Sequence, residues 1–386
     1  VSTRQGSDST TSARGFEGIS QPLPATRADA EFLSSRSAPG TLPGTMRNGF
    51  PLVELHRHLD GNVRLETVLD LGRSRGVDLP ADDLESLRPY VQIMDREPDL
   101  VAFLQKFAVL RQVMTDYDAV RRIARENVED AAAERIDYLE LRFSPWFMAE
   151  AHGLDPKGVV EAVCDGVDEA LSTDAERARV AAGLPPRARL IGIISRNFGT
   201  DIGWIELEAA LAGKDRGVVA LDLAGDEANY PGSLFVDHFE QARDAGLRTI
   251  AHAGEADGAD SVRQAVLGLK AERIGHGIRA IEDPAAMALL AEREIPLEIC
   301  PTSNIHTSAV PTLSDHPLRA LLDHGIRATI NTDDPSISGI DLAHEYRIAH
   351  EEMGLSDQDL QACQKTALDT AFLTPTERQA LLTQTT

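Results

Sequence analysis

The first side chains with the types and spacing to hold a metal ion are His56 and His58, in the stretch from Leu52 to Gly61 that reads LVELHRHLDG. Leu52 to Leu55 is apolar enough for a buried strand. Side chains two apart on a strand share a face, so both imidazoles can project together from one strand end. Asp60 and Gly61 follow where the chain must turn, which sets a carboxylate beside the pair. Two hydrogen-bonded core histidines would have the same spacing, so distant partners have to decide. Such partners recur, each after an apolar run: Gly225-Asp226-Glu227, His252-Ala253-Gly254-Glu255, Gly275-His276-Gly277, Pro301-Thr302-Ser303-Asn304 and Asn331-Thr332-Asp333-Asp334-Pro335. Taken singly, a DDP segment reads as a turn or helix cap and GHG as a tight turn. Their coincidence at strand ends points to one site. Three or four nitrogen and oxygen donors without a thiolate suit zinc or iron(II). An open coordination position would hold a water that loses its proton near neutral pH.

Residues so far apart in sequence meet only if the elements carrying them converge. Strands are predicted at Leu52–Leu55, Ile136–Phe143, Leu190–Ser195, Val218–Leu223, Arg248–His252, Arg273–His276, Pro296–Cys300 and Arg327–Asn331. Helical spacing fills Leu65–Arg75, Pro98–Met114, Tyr117–Glu134 and Lys157–Leu171, then recurs between the later strands. The pattern predicts an α/β fold, a (β/α)8 TIM barrel with its active residues at the C-terminal ends of the strands. Extra helices are expected after the first strand and at the C-terminus, the latter over Asp341–Met353, Asp357–Ala371 and Pro375–Leu382. Ser172–Arg189, with Gly183, Pro185 and Pro186, reads as an exposed, broken loop.

The 386 residues fit one barrel with insertions, and the 42% hydrophobic, 5% aromatic composition gives the aliphatic interior of packed parallel strands. Residues 1–49, rich in Ser, Thr, Gly, Pro and Arg, are expected to be a disordered extension, with residues 50–386 as the catalytic domain. The extension lacks the apolar core of a secretory signal, and Met46 is a candidate native start. The first 49 residues hold five arginines against four acids, so with a net charge of −24 overall and +1 from that segment the rest of the chain carries −25. Such acidity disfavours nucleic acid and anionic membrane as partners. No apolar run reaches the roughly 18 residues of a membrane span. Cys164, Cys300 and Cys363 lie far apart without a CxxC pair, as expected of reduced thiols in a cytoplasmic protein. The sequence carries no clear oligomer interface.

HRHLDG, LRFSP (Leu141–Pro145), DLAGDE (Asp222–Glu227), HAGE, RIGHG, CPTSN and NTDDP, in that order, resemble the adenosine deaminase family of the metal-dependent amidohydrolase superfamily, from about Pro51 to the C-terminus. The resemblance implies a hydrolase that converts adenosine, and 2′-deoxyadenosine, to inosine or deoxyinosine and ammonia in purine salvage. It implies one Zn2+ per subunit, with Fe2+ as the other compatible metal, held by His56, His58, His252 and Asp333. Glu255 would protonate the purine ring at N1, and His276 would orient the metal's water and help deprotonate it. A small purine nucleoside would be the partner, contacted by His58, by Asp60 at the ribose 5′-hydroxyl, by the Gly225 N–H at N3 and by Asp334 at the N7 side. The fourth strand carries no lysine, which argues against the carbamate-bridged two-metal centres of other superfamily members. The Phe103–Phe107 segment resembles the family's apolar flap.

These roles make chemical sense. Displacing an amino group from C6 needs a strong nucleophile and relief of aromaticity, so a proton must arrive at N1 as hydroxide attacks. Glu255 stands three residues past His252, so one strand end can serve metal and substrate together. The nearest rival is deamination of adenine or an N6-substituted purine nucleoside. Further off are a zinc amidohydrolase acting on another ring, and a nucleoside-binding barrel without turnover.

Overall fold

The computed structural model describes residues 50–385; the expectations for the preceding extension and for Met46 lie outside them. Eight parallel strands run in the order β1 Val53–His58, β2 Tyr138–Phe143, β3 Ala188–Ser195, β4 Val218–Ala224, β5 Arg248–Ala253, β6 Arg273–His276, β7 Leu297–Ile299 and β8 Ala328–Ile330. Almost every strand residue is buried, because the strands pack on both faces. β8 returns to β1 through an Arg57–Asp333 bridge, in which the His58 N–H donates to the Asp333 carbonyl at 2.8 Å and the Asp333 N–H to the His56 carbonyl at 2.9 Å. The Asn331 side chain accepts from the Leu55 N–H at 3.1 Å, completing the seam. The predicted (β/α)8 TIM barrel is the observed fold.

The helices start where polar side chains can satisfy their first N–H groups. Asp116 caps Tyr117–Ala133, Asp155 caps Pro156–Leu171 and Asp283 caps Pro284–Glu292. The latter two place proline in the first turn, where its missing N–H costs nothing. The β1–β2 connection is long, as expected, but its central segment differs from the prediction. The single helix expected over Pro98–Met114 is divided into Leu100–Leu104 and Phe107–Val113. A further helix, Leu84–Val91, precedes them, its Pro89 masking the helical pattern.

The Ser172–Arg189 segment is also not the open loop expected. Thr173 caps a helix over Asp174–Ala181, and its Glu176 is buried against Arg187 at 2.7 Å. Prolines and a glycine cluster only beyond that helix, so their breaking signal does not extend back into it. At the N-terminal end of the barrel, Phe372 packs on Ile191, Ala220 and Ile250, with the Arg273 guanidinium 3.9 Å from its ring centroid. The C-terminal helices thereby stopper one end and leave the opposite mouth for the site. Among the described residues, no helix is long and apolar enough to cross a membrane.

Candidate active site

Side chains from β1, β5, β6 and the turn after β8 converge at the C-terminal mouth. His56 Nε2 lies 3.2 Å from Asp333 Oδ1. His58 Nε2 lies 3.3 Å from the same oxygen and 3.3 Å from His252 Nε2. The ligand atoms of His56, His252, His276 and Asp333 all fall within 4.8 Å of one another, and His58, outside that group of four, joins it through Asp333 and His252, making five candidate donors. All five are buried. His56 Nε2 makes no hydrogen bond. A buried ring nitrogen left open beside a carboxylate fits a divalent cation better than a packed core. His276 (φ 60°) and Asp333 (φ 64°) adopt the left-handed conformation that side-chain-bearing residues rarely take. Such strain persists only where the surrounding structure fixes it.

Each ring is held from behind. His56 Nδ1 is 2.9 Å from Glu298 Oε2, and His252 Nδ1 is 3.1 Å from Asp222 Oδ2. Arg142 joins these two carboxylates, donating from Nη1 to Asp222 at 2.7 Å and from Nη2 to Glu298 at 2.6 Å. Burial pushes the His252 pKa down to about 3 against the pull of Asp222, so the ring is neutral, as a metal ligand must be. Burial alone would raise the Asp333 pKa. The facing His56, with His276 and His58, instead holds it well below the ordinary value.

The other predicted residues line a cavity of about 320 Å³ beside this cluster. Asp60 accepts from the Ser144 N–H through Oδ2 at 3.2 Å, while its buried Oδ1 makes no hydrogen bond and lies 3.7 Å from His58 Nδ1. Asp334 Oδ1 is likewise buried and makes no hydrogen bond. It stands where a Cβ on Gly61 would fall, 1.6 Å away, so only glycine leaves it room. Burial, reinforced by neighbouring Asp333, raises the Asp334 pKa well above its usual value. Burial also raises that of Glu255, opposed by His276 with Nε2 3.5 Å from Glu255 Oε2. Gly225 takes φ 109°, and a Cβ there would meet Asn197 Oδ1 at 2.0 Å. Phe103, Leu104, Phe107 and Phe147 form the apolar wall, with successive ring centroids 6.2 and 5.8 Å apart.

Several residues with clear structural tasks were not singled out from sequence. Glu298 and Arg142 stand behind the histidines. Glu227, noted only as part of a strand-end motif, accepts the backbone N–H groups of Gly254, Glu255, Ala256 and Asp257, gripping the loop that carries Glu255. A signal existed: Glu298 and Arg142 are charges inside short apolar strands, and a charge buried there needs a partner across the barrel.

A parallel eight-stranded barrel with imidazoles and a carboxylate converging at its C-terminal mouth defines the class of barrel metallohydrolases. Comparison with known proteins narrows the class. The adenosine deaminase family model matches residues 51–386. The adenosine deaminase of Pseudoalteromonas translucida is 52% identical over 333 residues, which is 86% of this chain and 97% of the relative. Among solved structures, the adenine deaminase of Arthrobacter aurescens superposes with a TM-score of 0.77 at 28% identity, covering 87% of this chain and 98% of that one. An amidohydrolase of Burkholderia ambifaria, solved with bound zinc, gives 0.75 at 26% identity, covering 88% and 92%. The chain belongs to the adenosine deaminase family.

Proposed function

We propose that the protein is a hydrolase of cyclic-amidine C–N bonds that converts adenosine, and 2′-deoxyadenosine, to the corresponding inosine and ammonia at a single zinc ion. The observation that carries this reading is the meeting in one cavity of a histidine–carboxylate cluster with buried Glu255 and two buried carboxylate oxygens that make no hydrogen bond, on Asp60 and Asp334. His56, His58, His252 and Asp333 hold the ion. With Glu298 and Asp222 accepting from the Nδ1 hydrogens of His56 and His252, the Nε2 lone pairs are free for it. Nitrogen and carboxylate donors without thiolate suit zinc and also iron(II), and the Burkholderia ambifaria neighbour, with its bound zinc, favours the former. A divalent ion bound there lowers the pKa of a coordinated water and so supplies hydroxide at neutral pH.

The chain's own groups handle the base. Glu255, its pKa raised by burial, gives its proton to N1 as C6 becomes tetrahedral. His276, beside it, faces the side of attack and steers the nucleophile. Asp334, whose pKa burial also raises, donates to N7, and the Gly225 N–H donates to N3. His58 borders the bound nucleoside. Asp60 Oδ1 accepts from the ribose 5′-hydroxyl, the contact that favours a nucleoside over the free base of the adenine-deaminase reading. The three buried thiols, none in a disulfide, support a cytoplasmic location.

The test is ultraviolet absorbance on mixing purified protein with adenosine. Conversion to inosine shifts the spectrum, chelation abolishes the shift and added zinc restores it. Turnover of adenine at a rate equal to or above that of adenosine would favour the free-base reading, and metal-loaded protein releasing no ammonia from either would overturn deamination.

A further inference from the structure

His276 poses a question that the metal cluster leaves open. Its Nε2 stands among the donors, 3.7 Å from Asp333 Oδ2, close enough for the ring to serve as a ligand. A ring nitrogen can bind a cation only through a lone pair, so the position of the proton decides its role. That position can be read from the partner of the other nitrogen.

The chain of partners begins at a group whose polarity is fixed. The Leu318 backbone N–H donates to His316 Nδ1 at 3.1 Å, so that nitrogen is an acceptor and the proton of the neutral ring is on Nε2. Burial keeps the ring neutral, pushing its pKa down to about 3. His316 Nε2 lies 3.2 Å from the Asn304 side chain, and an N–H donor there requires the amide oxygen to face it. The Asn304 amide nitrogen must then face the other way, where it lies 3.1 Å from His276 Nδ1 and 3.3 Å from Glu255 Oε1. Its two hydrogens serve these two acceptors. His276 Nδ1 is therefore an acceptor, and its Nε2 carries the hydrogen. Glu255 Oε1 also lies 3.0 Å from the Thr307 hydroxyl, whose single hydrogen has the Ser303 carbonyl as a second acceptor at 3.0 Å. It is thus the Asn304 amide N–H that marks Oε1 as the accepting oxygen and leaves Oε2 to carry the acid's proton. Asn304 itself is fully buried.

We propose that Asn304, oriented by His316, is a positioning residue that fixes His276 as an Nε2–H donor facing the cavity, outside the metal's ligand set, and holds Glu255 with its proton on Oε2. One amide thus sets the proton positions of both groups that flank the reacting C6–N1 edge. The inference rests on the deaminase reading for its catalytic meaning, but its structural content is independent of turnover.

The direct test is a long-range 1H–15N spectrum of protein labelled with 15N-histidine, with the His276 signals assigned by their loss in His276→Gln. The expected result is a protonated Nε2 and a bare Nδ1, unchanged on adding zinc. A protonated Nδ1, or an Nε2 signal shifted by the metal as a ligand's would be, overturns the proposal. Asn304→Asp presents a carboxylate oxygen to His276 Nδ1 and is expected to move the hydrogen to that nitrogen. Zinc content should stay the same while kcat falls by about 10² to 10⁴, as a wrong tautomer does elsewhere. Retention of wild-type kcat in Asn304→Asp, or loss of zinc from it, counts against the proposal. Should that variant fail to fold, His316→Gln, which keeps an N–H donor, and His316→Leu, which does not, are expected to separate by about tenfold or more in kcat, and equal activities would refute it. Absence of turnover by the wild-type protein would defeat the deaminase reading and leave the tautomer measurement intact.

Discussion

On the histidine–carboxylate wall of the cavity the side chains are held by charges and directed hydrogen bonds. His56 leans on Glu298, His252 on Asp222, and both carboxylates on Arg142. On the facing wall, Phe103, Leu104, Phe107 and Phe147 meet through ring and aliphatic contacts, which have no preferred hydrogen-bond geometry. The first wall can keep ligand atoms in fixed places but tolerates no missing partner. The second can change shape around a ligand at little cost, because a small slip between apolar groups exchanges one contact for another. Breaking each wall should therefore have a different signature: lost metal from one, weakened substrate binding from the other.

The largest effect is expected from Arg142→Met. It leaves Asp222 and Glu298 without their shared cation in a site where both are fully buried. Removing one member of a buried ion network costs about 3 to 5 kcal/mol, and disturbing the groups behind metal ligands weakens metal affinity by about 10- to 100-fold. Thermal unfolding and competition with a chelator measure the two. Unchanged zinc affinity would mean that the rings hold their positions without the clamp.

Asp60→Ala should come next, and it acts at the substrate end. A hydrogen bond to a carboxylate contributes about 1.5 to 3 kcal/mol, so kcat/KM for adenosine should fall by about 10- to 100-fold with bound zinc unchanged. Adenine, with no ribose hydroxyl, should be affected far less, and equal losses on both would favour the free-base reading. Leu104→Ala tests the apolar wall, which the half-buried side chain of Leu104 helps to line. Losing a few buried methyl and methylene groups should raise KM by about tenfold and leave metal affinity as it was. A loss of zinc from this variant would erase the contrast between the walls.

The same contrast explains what could be read from the sequence. The histidine–carboxylate cluster was legible because polar residues of these types stand out at strand ends: HRH, HAGE, GHG and NTDDP interrupt aliphatic strands. Eight strands were visible for a related reason, since parallel strands buried on both faces must be short aliphatic runs. The apolar wall left a weaker trace. Phe103 and Phe107 fit a helical spacing, but nothing in the apolar pattern marks the break between the two short helices at Gln105 and Lys106. The helix over Asp174–Ala181 was hidden in another way: it is polar on most sides and is held by Glu176 pairing with Arg187, a contact that periodicity does not register. Arg142 and Glu298 were visible as residues, but their partnership across the barrel exists only once the strands close.

The smallest effect concerns Glu206, below the substrate end of the cavity. It lies on the helix Gly199–Ala212, takes the Ser195 N–H at 2.8 Å and hydrogen-bonds the Ser144 hydroxyl, while Ser144 in turn donates its N–H to Asp60. Burial pushes its pKa up to about 8, so the folded protein keeps a neutral acid there when the unfolded chain would already have ionised it. The sign follows: between the unfolded value near 4.5 and about 8 the folded state binds more protons, so this group's contribution to stability declines as pH rises through that window. Glu206→Gln replaces the acid by a neutral group that cannot ionise. Its denaturant midpoint should therefore fall less steeply than wild type from about pH 5 to 8, with kcat on adenosine changed by less than about threefold. Parallel pH profiles for the two proteins would mean that Glu206 is ionised in the folded state, and that Asp60 has a second negative charge close behind it.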